Sequence, residues 1–378
     1  MKKLRLPLLL LLAAAACSDK KLYPDAVKAF EKHSYQEYPA GKVREVLEDK
    51  GFPGLAVLDS HALLLNSARP LRSPPAGTES SSGLLFDHRR GAIHLAKVFR
   101  NSPAALAGLK DGDKVLEIDG RKATPQEVAE RSDDSFGFTL KVERAGPKGL
   151  SQVVAQVERE KFSMPLIFGF YDPVSSAAYL KIGMFVQGSS ATVVSGLEAM
   201  VSLGAKKIVF DLRGSQGGMP EEAAGLLGVF APKAGTVLEL KSRHKGYCRT
   251  FEARSKGRFA DLKTAVLVDG RTFMAAEAFA QALKELSGAR LVGGTTGGRV
   301  SIVRTFRLDG GPKGLELTVS RIFPPSGLEL EGRGAVPDIS AELTGEQEKD
   351  LAEAWNAPLE TVLLTDRAYA RAMEALSK

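Results

Sequence analysis

The spacing of apolar residues predicts helices and short strands that alternate through most of the second half of the chain. Helical periodicity marks residues 25–32, 41–50, 192–202, 221–230, 275–286 and 366–376. Short apolar or alternating runs predict strands at residues 55–65, 114–118, 137–144, 152–158 and 177–185, and a buried strand that ends at residues 211–213. Thr344 and Gln347 form a capping box that predicts a further helix to about Trp355. The pattern after residue 160 indicates a mixed α/β sandwich.

The predicted fold class is α/β multidomain, with a β-barrel module preceding the α/β core. At 378 residues the chain is long enough for two or three domains. A stretch rich in Pro, Ser and Gly at residues 67–82 predicts a linker. The expected divisions are a signal peptide (1–16), a tether (17–24), a region of helices and strands (25–77), the barrel module (78–160), the core (161–343) and C-terminal helices (344–378).

The first 17 residues have the pattern of a secretory signal. Lys2, Lys3 and Arg5 precede the apolar residues 6–12, and four alanines lead to Cys17. The apolar run is too short to span a bilayer permanently. Small residues directly before a cysteine resemble a bacterial lipobox, so Cys17 is expected to be lipidated; ordinary cleavage beside a chance cysteine is the alternative. A lipid anchor would place the protein in the bacterial cell envelope, facing the periplasm or the exterior.

Charge and cysteine content narrow the possible functions. Loss of residues 1–16 removes 3 positive charges and lowers the formal net charge from +7 to +4, which gives no reason to expect nucleic-acid binding. Cys17 and Cys248 are the two cysteines, so a lipidated Cys17 leaves Cys248 without a disulfide partner. The five histidines are scattered, and no His/Cys spacing predicts a metal site or a cofactor.

Residues 265–299 (AVLVDGRTFMAAEAFAQALKELSGARLVGGTTGGR) predict a strand, a turn, a helix, a second strand and a loop rich in Gly and Thr. The stretch resembles the catalytic segment of the carboxyl-terminal processing peptidases, the tail-specific serine proteases. In that family a Ser-Ala-Ser-Glu element supplies the nucleophile, and a Lys about two dozen residues later is the general base. The resemblance places Met274 at the nucleophile, before Ala275, Ala276 and Glu277. It places Arg299 at the base, 299 − 274 = 25 residues later.

These two residue types cannot perform the family's chemistry. A Ser/Lys pair requires a hydroxyl that gives up a proton and an amine that accepts it. A thioether has no such proton, and a guanidinium stays protonated at any accessible pH. The resemblance therefore implies a catalytically degenerate member. A displaced nucleophile, with Thr272 or Ser301 as candidates, is the alternative that would retain catalysis.

Further segments resemble the family in the same order along the chain. Residues 206–223 (KKIVFDLRGSQGGMPEEA) resemble its strand and Asp-Leu-Arg-Gly-Asn-x-Gly-Gly turn, residues 177–185 its opening core strand, and residues 317–338 its closing segment. By this resemblance, the oxyanion-type backbone donors would be the amides of Gly217 or Gly218 and of Ala275. Backbone amides survive side-chain replacement, so a notch that binds a carbonyl or carboxylate is expected to persist.

Residues 83–120 resemble a PDZ domain. Gly83, Leu84, Leu85 and Phe86 occupy the place of its carboxylate-binding loop, and residues 102–109 (SPAALAGL) that of its short helix and turn. In such a domain the loop amides hold a C-terminal carboxylate while the peptide adds as a strand to the sheet. The simpler alternative is a small barrel with a closed groove.

The function expected from these observations is that of a non-catalytic envelope lipoprotein that binds protein C-termini or unfolded envelope polypeptides. An active Ser- or Thr-type endopeptidase with a displaced nucleophile is the second hypothesis. A carrier of small apolar ligands is the third, because the family's core resembles retinoid-binding proteins and Met274 makes the cleft more apolar.

Overall fold

A computed structural model describes residues 19–65, 82–89, 92–99, 102–124, 127–128, 137–146, 149–158, 166–309, 312–342 and 366–377. The predicted signal peptide, Cys17 and the helix predicted at residues 344–355 lie outside these ranges. Within them the helices are α1 (Tyr23–His33), α2 (Ala40–Gly54), α3 (Pro103–Leu106), α4 (Ser189–Ser202), α5 (Pro220–Gly228), α6 (Met274–Ser287) and α7 (Arg367–Ser377).

The strands of the described ranges belong to several sheets. In chain order they are β1 (Leu63–Leu65), β2 (Leu84–Arg89), β3 (Ala92–Val98), β4 (Lys114–Ile118), β5 (Arg121–Lys122), β6 (Phe138–Gly146), β7 (Gly149–Val157), β8 (Ile167–Asp172), β9 (Ala177–Ile182), β10 (Lys207–Asp211), β11 (Gly235–Lys241), β12 (Arg249–Ala253), β13 (Lys263–Val268), β14 (Arg290–Gly293), β15 (Ser301–Arg307), β16 (Gly314–Phe323) and β17 (Ile339–Ser340).

The chain forms two compact units. The first comprises Met1–Leu71, Leu240–Arg249 and Ser301–Arg321. Its helices α1 and α2 pack with β16 residues around a core that includes Phe30, Leu47 and Leu315. Strand β16 pairs antiparallel with both β1 and β15. The prediction of strands throughout residues 55–65 was wrong for Leu55–Val57, which form a 3-10 turn because the amides of Leu58 and Asp59 both bond to the Leu55 carbonyl.

The second unit comprises Arg72–Glu239, Thr250–Val300 and Ile322–Lys378. Its first part is a sheet of order β2-β3-β4-β6-β7, with β5 paired to β4. Alternate residues of these strands point to one core, which is why Leu95, Ile118 and Leu140 are buried. The predicted strand at residues 114–118 is confirmed, and the predicted strands at 137–144 and 152–158 correspond to β6 and β7.

The second part of this unit is a sheet of order β17-β14-β13-β10-β9-β8. All neighbouring strands are parallel except β8 and β9, which form an antiparallel pair. Helix α7 covers one face through Ala368, Ala372 and Leu376. Rings of Phe210 and Phe279 meet at 5.5 Å, which places α6 over β10. The sheet is therefore covered by helices on both faces, and its strands are long apolar runs for that reason.

Candidate functional site

Helix α6 begins with a residue in a strained backbone conformation. Strand β13 ends at Val268, and a short turn leads to Met274, the position predicted to replace the nucleophile. Met274 has φ 49°, whereas the other non-glycine residues with positive φ in the described ranges are an Asp and a Ser. A long side chain is disfavoured in this left-handed region by about 1–2 kcal/mol. The side chain of Met274 is partly exposed, and the strained backbone of this residue costs conformational free energy.

The glycine turn after β10 lies directly against this residue. A Cβ on Gly217 would lie 2.4 Å from the Met274 Cβ, and one on Gly218 would lie 2.1 Å from the Phe185 carbonyl oxygen. Both glycines also have positive φ, 83° and 95°. No other residue type fits these two positions without displacing backbone. The structure therefore brings together Gly217, Met274 and Ala275.

Three backbone amides at this place have no acceptor within the described parts of the chain: those of Gly217, Gly218 and Ala275. The Gly217 carbonyl, by contrast, accepts from the Phe185 amide at 2.7 Å, and the Phe185 carbonyl accepts from the Met219 amide at 2.8 Å. We call the three amides the amide notch. Amides held in place without a partner can hydrogen-bond an oxygen of a ligand.

The predicted base position also lies at the notch. The Met274 amide donates to the Arg299 carbonyl oxygen at 2.7 Å, so residues far apart in sequence are in direct contact. The Arg299 guanidinium carbon lies 3.6 Å from the centroid of the Phe273 ring. This is a cation–π contact, which engages the face of the guanidinium. The backbone of Arg299 thus contacts Met274, while its guanidinium lies on the ring of Phe273.

Glu277 fixes the loop that carries Arg299. Its carboxylate is fully buried and accepts hydrogen bonds from the Gly298 amide at 2.8 Å, the Arg299 amide at 3.0 Å and the Thr296 hydroxyl. Burial raises the pKa of Glu277, and the three hydrogen bonds counteract that rise. The Thr296 hydroxyl in turn accepts from the Ala335 amide at 2.6 Å. In the sequence, Glu277 served only to set the register of the family motif; its place one turn into a helix that precedes a Gly-rich loop was the available signal for this role.

Thr272 does not fit the role of a displaced nucleophile. It is fully buried, and its hydroxyl donates to the Leu212 carbonyl at 2.9 Å while accepting from the Asp269 amide at 3.1 Å. A hydroxyl used in this way cannot approach a substrate carbonyl. Its role is to hold the turn before α6. Ser301, the other candidate hydroxyl, is only 5% exposed.

A buried ionic network lies under the glycine turn. Asp211 at the end of β10 is opposite Lys181 in the parallel register and accepts from Tyr179 at 2.6 Å, Lys181 at 3.2 Å and Arg213 at 2.7 Å. Arg213 also bonds Asp366, 2.6 Å away, at the start of α7. Burial alone would raise the pKa of Asp211, but the Arg213 and Lys181 cations hold it well below its ordinary value. Sequence reasoning identified the Asp-Leu-Arg motif but not its partners Lys181 and Asp366.

The predicted carboxylate loop of the first sheet begins at Gly83, which has φ 70° and leads into β2. Strand β2 is the terminal strand in the order of this sheet among the described residues. The Gly83 carbonyl accepts from the Phe99 amide at 2.9 Å. Leu84 is buried in the core of the sheet, and Phe86 packs at its margin. The four residues predicted to bind peptide, which include Leu85, therefore form a turn followed by a strand.

One small apolar cluster connects this sheet to the amide notch. Phe99 packs with Leu166, Met184 and Val186. Phe185, between the last two, bonds the Gly217 carbonyl. The two predicted binding places are thus linked by a continuous set of contacts.

The described residues lack several other kinds of site. They include no group of three or more His, Cys, Asp or Glu side chains arranged to hold a metal. No helix in the same ranges combines the length and apolar character needed to cross a bilayer. Cys248 is exposed and is a free thiol.

Residues 176–341 match the family model for Peptidase family S41. These residues contain β9, the glycine turn, α6 and the Arg299 loop. The carboxy-terminal processing protease CtpA of Bacillus subtilis is 25% identical over 266 residues, which are 69% of this chain and 56% of that protein. Residues 176–341 therefore form a Peptidase family S41 domain, and the chain is related to the C-terminal processing peptidases.

Two further comparisons agree with this similarity. The probable CtpA-like serine protease of Staphylococcus aureus (strain N315) is 26% identical over 263 residues, which are 68% of this chain and 52% of that protein. This C-terminal processing peptidase homologue thus spans about half the length of the curated relatives it matches. The structure of the photosystem II D1 C-terminal processing protease superposes with a TM-score of 0.66 at 20% identity, over 86% of this chain and 93% of that one. That similarity confirms the mixed α/β fold.

Proposed function

We propose that this protein is a non-catalytic member of its family that binds polypeptide C-termini. The observation that supports this most is the contact between positions 274 and 299, where the Met274 amide bonds the Arg299 carbonyl. Because these two positions are in contact, as a nucleophile and its base must be, the alignment of Met274 and Arg299 with the family's Ser and Lys is supported. The groups present there are a thioether and a guanidinium, which can neither attack a carbonyl nor accept a proton.

Restoring the dyad should restore proteolysis. The purified protein is expected not to cleave an unstructured protein with an apolar C-terminus, whereas Met274→Ser combined with Arg299→Lys should cleave it. The cleavage rate of the double variant, which has both a nucleophile and a base, should exceed the rate of either single variant by about 10²-fold or more. The assay is the rate of fragment formation by mass spectrometry, with Met274→Ser and Arg299→Lys alone as matched controls.

The displaced-nucleophile hypothesis makes the opposite prediction in the same assay. Cleavage by the unmodified protein that disappears in Thr272→Ala would overturn the non-catalytic proposal. The buried hydroxyl of Thr272 argues against that outcome; its removal should instead lower the free energy of unfolding by about 1–2 kcal/mol through its lost hydrogen bonds.

The proposed peptide-binding module is the PDZ-like sheet at residues 78–160. Support comes from the turn at Gly83 and from the terminal position of β2, where an incoming peptide could add as a strand. Gly83→Val should weaken binding of a peptide with an apolar C-terminus, since φ 70° is strongly disfavoured for a β-branched residue. Gly120→Val, at φ 72° in the β4–β5 turn, is the matched control that should leave affinity unchanged. Fluorescence anisotropy of a labelled peptide measures both, and equal affinities would contradict this role.

The proposed location is the bacterial cell envelope, with the protein anchored through a lipid on Cys17. Support comes from the charged, apolar and small-residue regions that precede this cysteine. Intact-mass measurement of the protein from membranes would decide the matter, because a free thiol at the mature N-terminus or a retained signal would contradict lipidation.

No observation favours the apolar-carrier hypothesis. It requires a deep apolar cavity behind Met274. A cavity of about 430 Å³ in the described residues lies elsewhere, between α5 and the segment after β12, and charged side chains contribute to its lining: Glu252, Arg254, Lys256 and Arg258. Such a lining does not suit an apolar ligand.

A further inference from the structure

The connection between β11 and β12 is strongly basic. Residues 241–249 (KSRHKGYCR) include four Lys or Arg residues and no Asp or Glu. They belong to the first compact unit, as do α1 and β15. The Arg243 guanidinium ties this connection to the end of α1, where it donates to three carbonyls: those of Phe30 at 3.1 Å, Glu31 at 2.6 Å and Ser34 at 2.8 Å. A cation at the C-terminal end of a helix also interacts favourably with the helix dipole.

Aromatic rings join the same connection to α1 and to β15. The Tyr247 hydroxyl oxygen and the His33 Nδ1 lie 2.6 Å apart, and the His33 ring stacks on that of Phe306 with the centroids 3.9 Å apart. The Arg304 guanidinium carbon lies 5.2 Å from the centroid of the Tyr247 ring. The ring of His244 meets the Tyr247 ring edge to face at 6.2 Å. Three segments far apart in the chain therefore form one surface.

Four exposed cations of this surface form what we call the basic patch: Lys32, Arg243, Lys245 and Arg304. Within the described parts of the chain, none of the four pairs with a carboxylate. Other basic residues of the same elements have interactions of their own and are not counted: Lys241, Arg249 and Arg307. Glu31, on the last turn of α1, is exposed and offsets one charge. The patch therefore keeps an excess of positive charge.

The positive charges also act on the two histidines of the surface. Burial lowers the pKa of His33, and the nearby His244 and Lys32 lower it further. Burial and the Arg243 cation likewise lower the pKa of His244. Both shifts agree with a positive potential at this place. The four cations of the patch therefore carry its charge at neutral pH.

The basic patch lies within reach of Cys17, the predicted lipidation site. The three residues from Cys17 to Lys20 span at most about 11 Å. The 3-10 turn Lys20–Leu22 adds about 6 Å, and α1 with its 11 residues adds about 16 Å. Because α1 ends beside the patch, the patch is within about 35 Å of the anchor point. A bilayer that held the anchor would therefore be close enough to contact the patch.

We propose that the basic patch docks the first compact unit on an anionic phospholipid surface, with Tyr247 at the level of the headgroups. Each Lys or Arg close to such a surface raises the affinity by roughly fivefold. An aromatic ring with a polar tip suits the boundary between lipid and water. The choice of a membrane over a soluble acidic partner rests on the proposed lipid anchor.

Co-sedimentation with lipid vesicles tests the patch in the full-length chain with Cys17→Ser, which carries no lipid. This chain should bind vesicles of about 30% phosphatidylglycerol in phosphatidylcholine at least about tenfold more tightly than vesicles of phosphatidylcholine alone, at about 0.1 M salt. Lys32→Gln, Lys245→Gln and Arg304→Gln together should weaken binding to the anionic vesicles by about 10²-fold. Arg243 is left in place because it also bonds the end of α1.

The matched control removes the same number of charges from other exposed lysines. Lys42→Gln, Lys50→Gln and Lys256→Gln replace lysines that pair with carboxylates at 3.2, 3.9 and 2.7 Å. Together they should change the affinity for the anionic vesicles by less than about threefold, because charges away from the bilayer are screened. Circular dichroism shows whether both triple variants are folded.

Three results would overturn the proposal. An equal loss of affinity in the two triple variants would show that net charge alone explains binding. Equal affinity of the Cys17→Ser chain for both kinds of vesicle would show that the patch does not recognise anionic lipid. Patch-dependent binding of polyglutamate or RNA by a chain that binds neither vesicle would identify a soluble acidic partner instead. Since the tested chain carries no lipid, none of these results depends on whether Cys17 is lipidated in the cell.

Discussion

Asp211→Ala is expected to lower the free energy of unfolding by about 3–5 kcal/mol, because it leaves two largely buried cations without their shared partner. Asp211 is fully buried, and it joins Lys181 on β9 to Arg213 after β10. Among the described residues, Arg213 would retain the carboxylate of Asp366, directly before α7. The measurement is chemical denaturation of the variant and the unmodified protein at neutral pH. Because Arg213 begins the glycine turn, the variant should also disturb the amide notch.

An exposed ion pair provides the control for this prediction. Asp261, whose side chain is 85% exposed, bonds Lys256, 56% exposed, at 2.7 Å; Asp261→Ala should change stability by less than about 1 kcal/mol. If Asp211→Ala and Asp261→Ala both lower the free energy of unfolding by less than about 1 kcal/mol, the buried network does not stabilise the fold.

The same network should make the free energy of unfolding depend on pH in the acidic range. The pKa of Asp211 is below its ordinary value in the folded protein, so its contribution is fully present above the unfolded pKa of about 3.9. The contribution should decrease as the pH falls below that value towards the folded pKa. The difference in the free energy of unfolding between the unmodified protein and Asp211→Asn should therefore be constant from pH 6 to about pH 4 and should decrease as the pH is lowered further to about pH 2. Parallel curves would show that the charge of Asp211 is not stabilising.

Glu277→Ala should release the loop that carries Arg299, with a loss of about 3 kcal/mol or more in the free energy of unfolding. The substitution leaves two loop amides and the Thr296 hydroxyl buried without an acceptor, and hydrogen bonds to charged groups contribute about 1.5–3 kcal/mol each. Hydrogen exchange measured by mass spectrometry should increase at residues 294–300.

Two further variants make this prediction specific. Glu277→Gln keeps one acceptor oxygen and should lose less stability than the alanine variant. Glu285 lies on the same helix and bonds Ser326 at a less buried position, so Glu285→Ala should cost no more than about 1 kcal/mol and leave exchange at residues 294–300 unchanged. Unchanged exchange in Glu277→Ala would show that other contacts hold the loop.

Local sequence signals predicted the individual elements well. The helices expected at residues 25–32, 41–50, 192–202, 221–230, 275–286 and 366–376 correspond to α1, α2, α4, α5, α6 and α7. The error at Leu55–Val57 arose because an apolar run too short for periodicity fits a strand and a turn equally well. The capping-box helix at residues 344–355 lies outside the described ranges, so it stays a prediction.

What the sequence determined by itself is the identity of the groups at the predicted site. Met274, Arg299, Gly217 and Gly218 were placed by motif spacing, and the chemistry that a thioether and a guanidinium cannot perform follows from their structures. The similarity to the C-terminal processing peptidases that the comparisons show was also carried by these local motifs, because each is a short stretch around one turn.

Only the tertiary structure decided how these groups are held and which of them are accessible. The buried hydroxyl of Thr272, the Glu277 carboxylate under the Arg299 loop, and the network of Asp211, Lys181, Arg213 and Asp366 all join segments far apart in the chain. Hydrogen bonds of this kind depend on strand order and on side-chain burial, which residue spacing along the chain does not specify. The stacking of Arg299 on Phe273 belongs to the same class, because it exists only once the loop after β14 has folded back against α6.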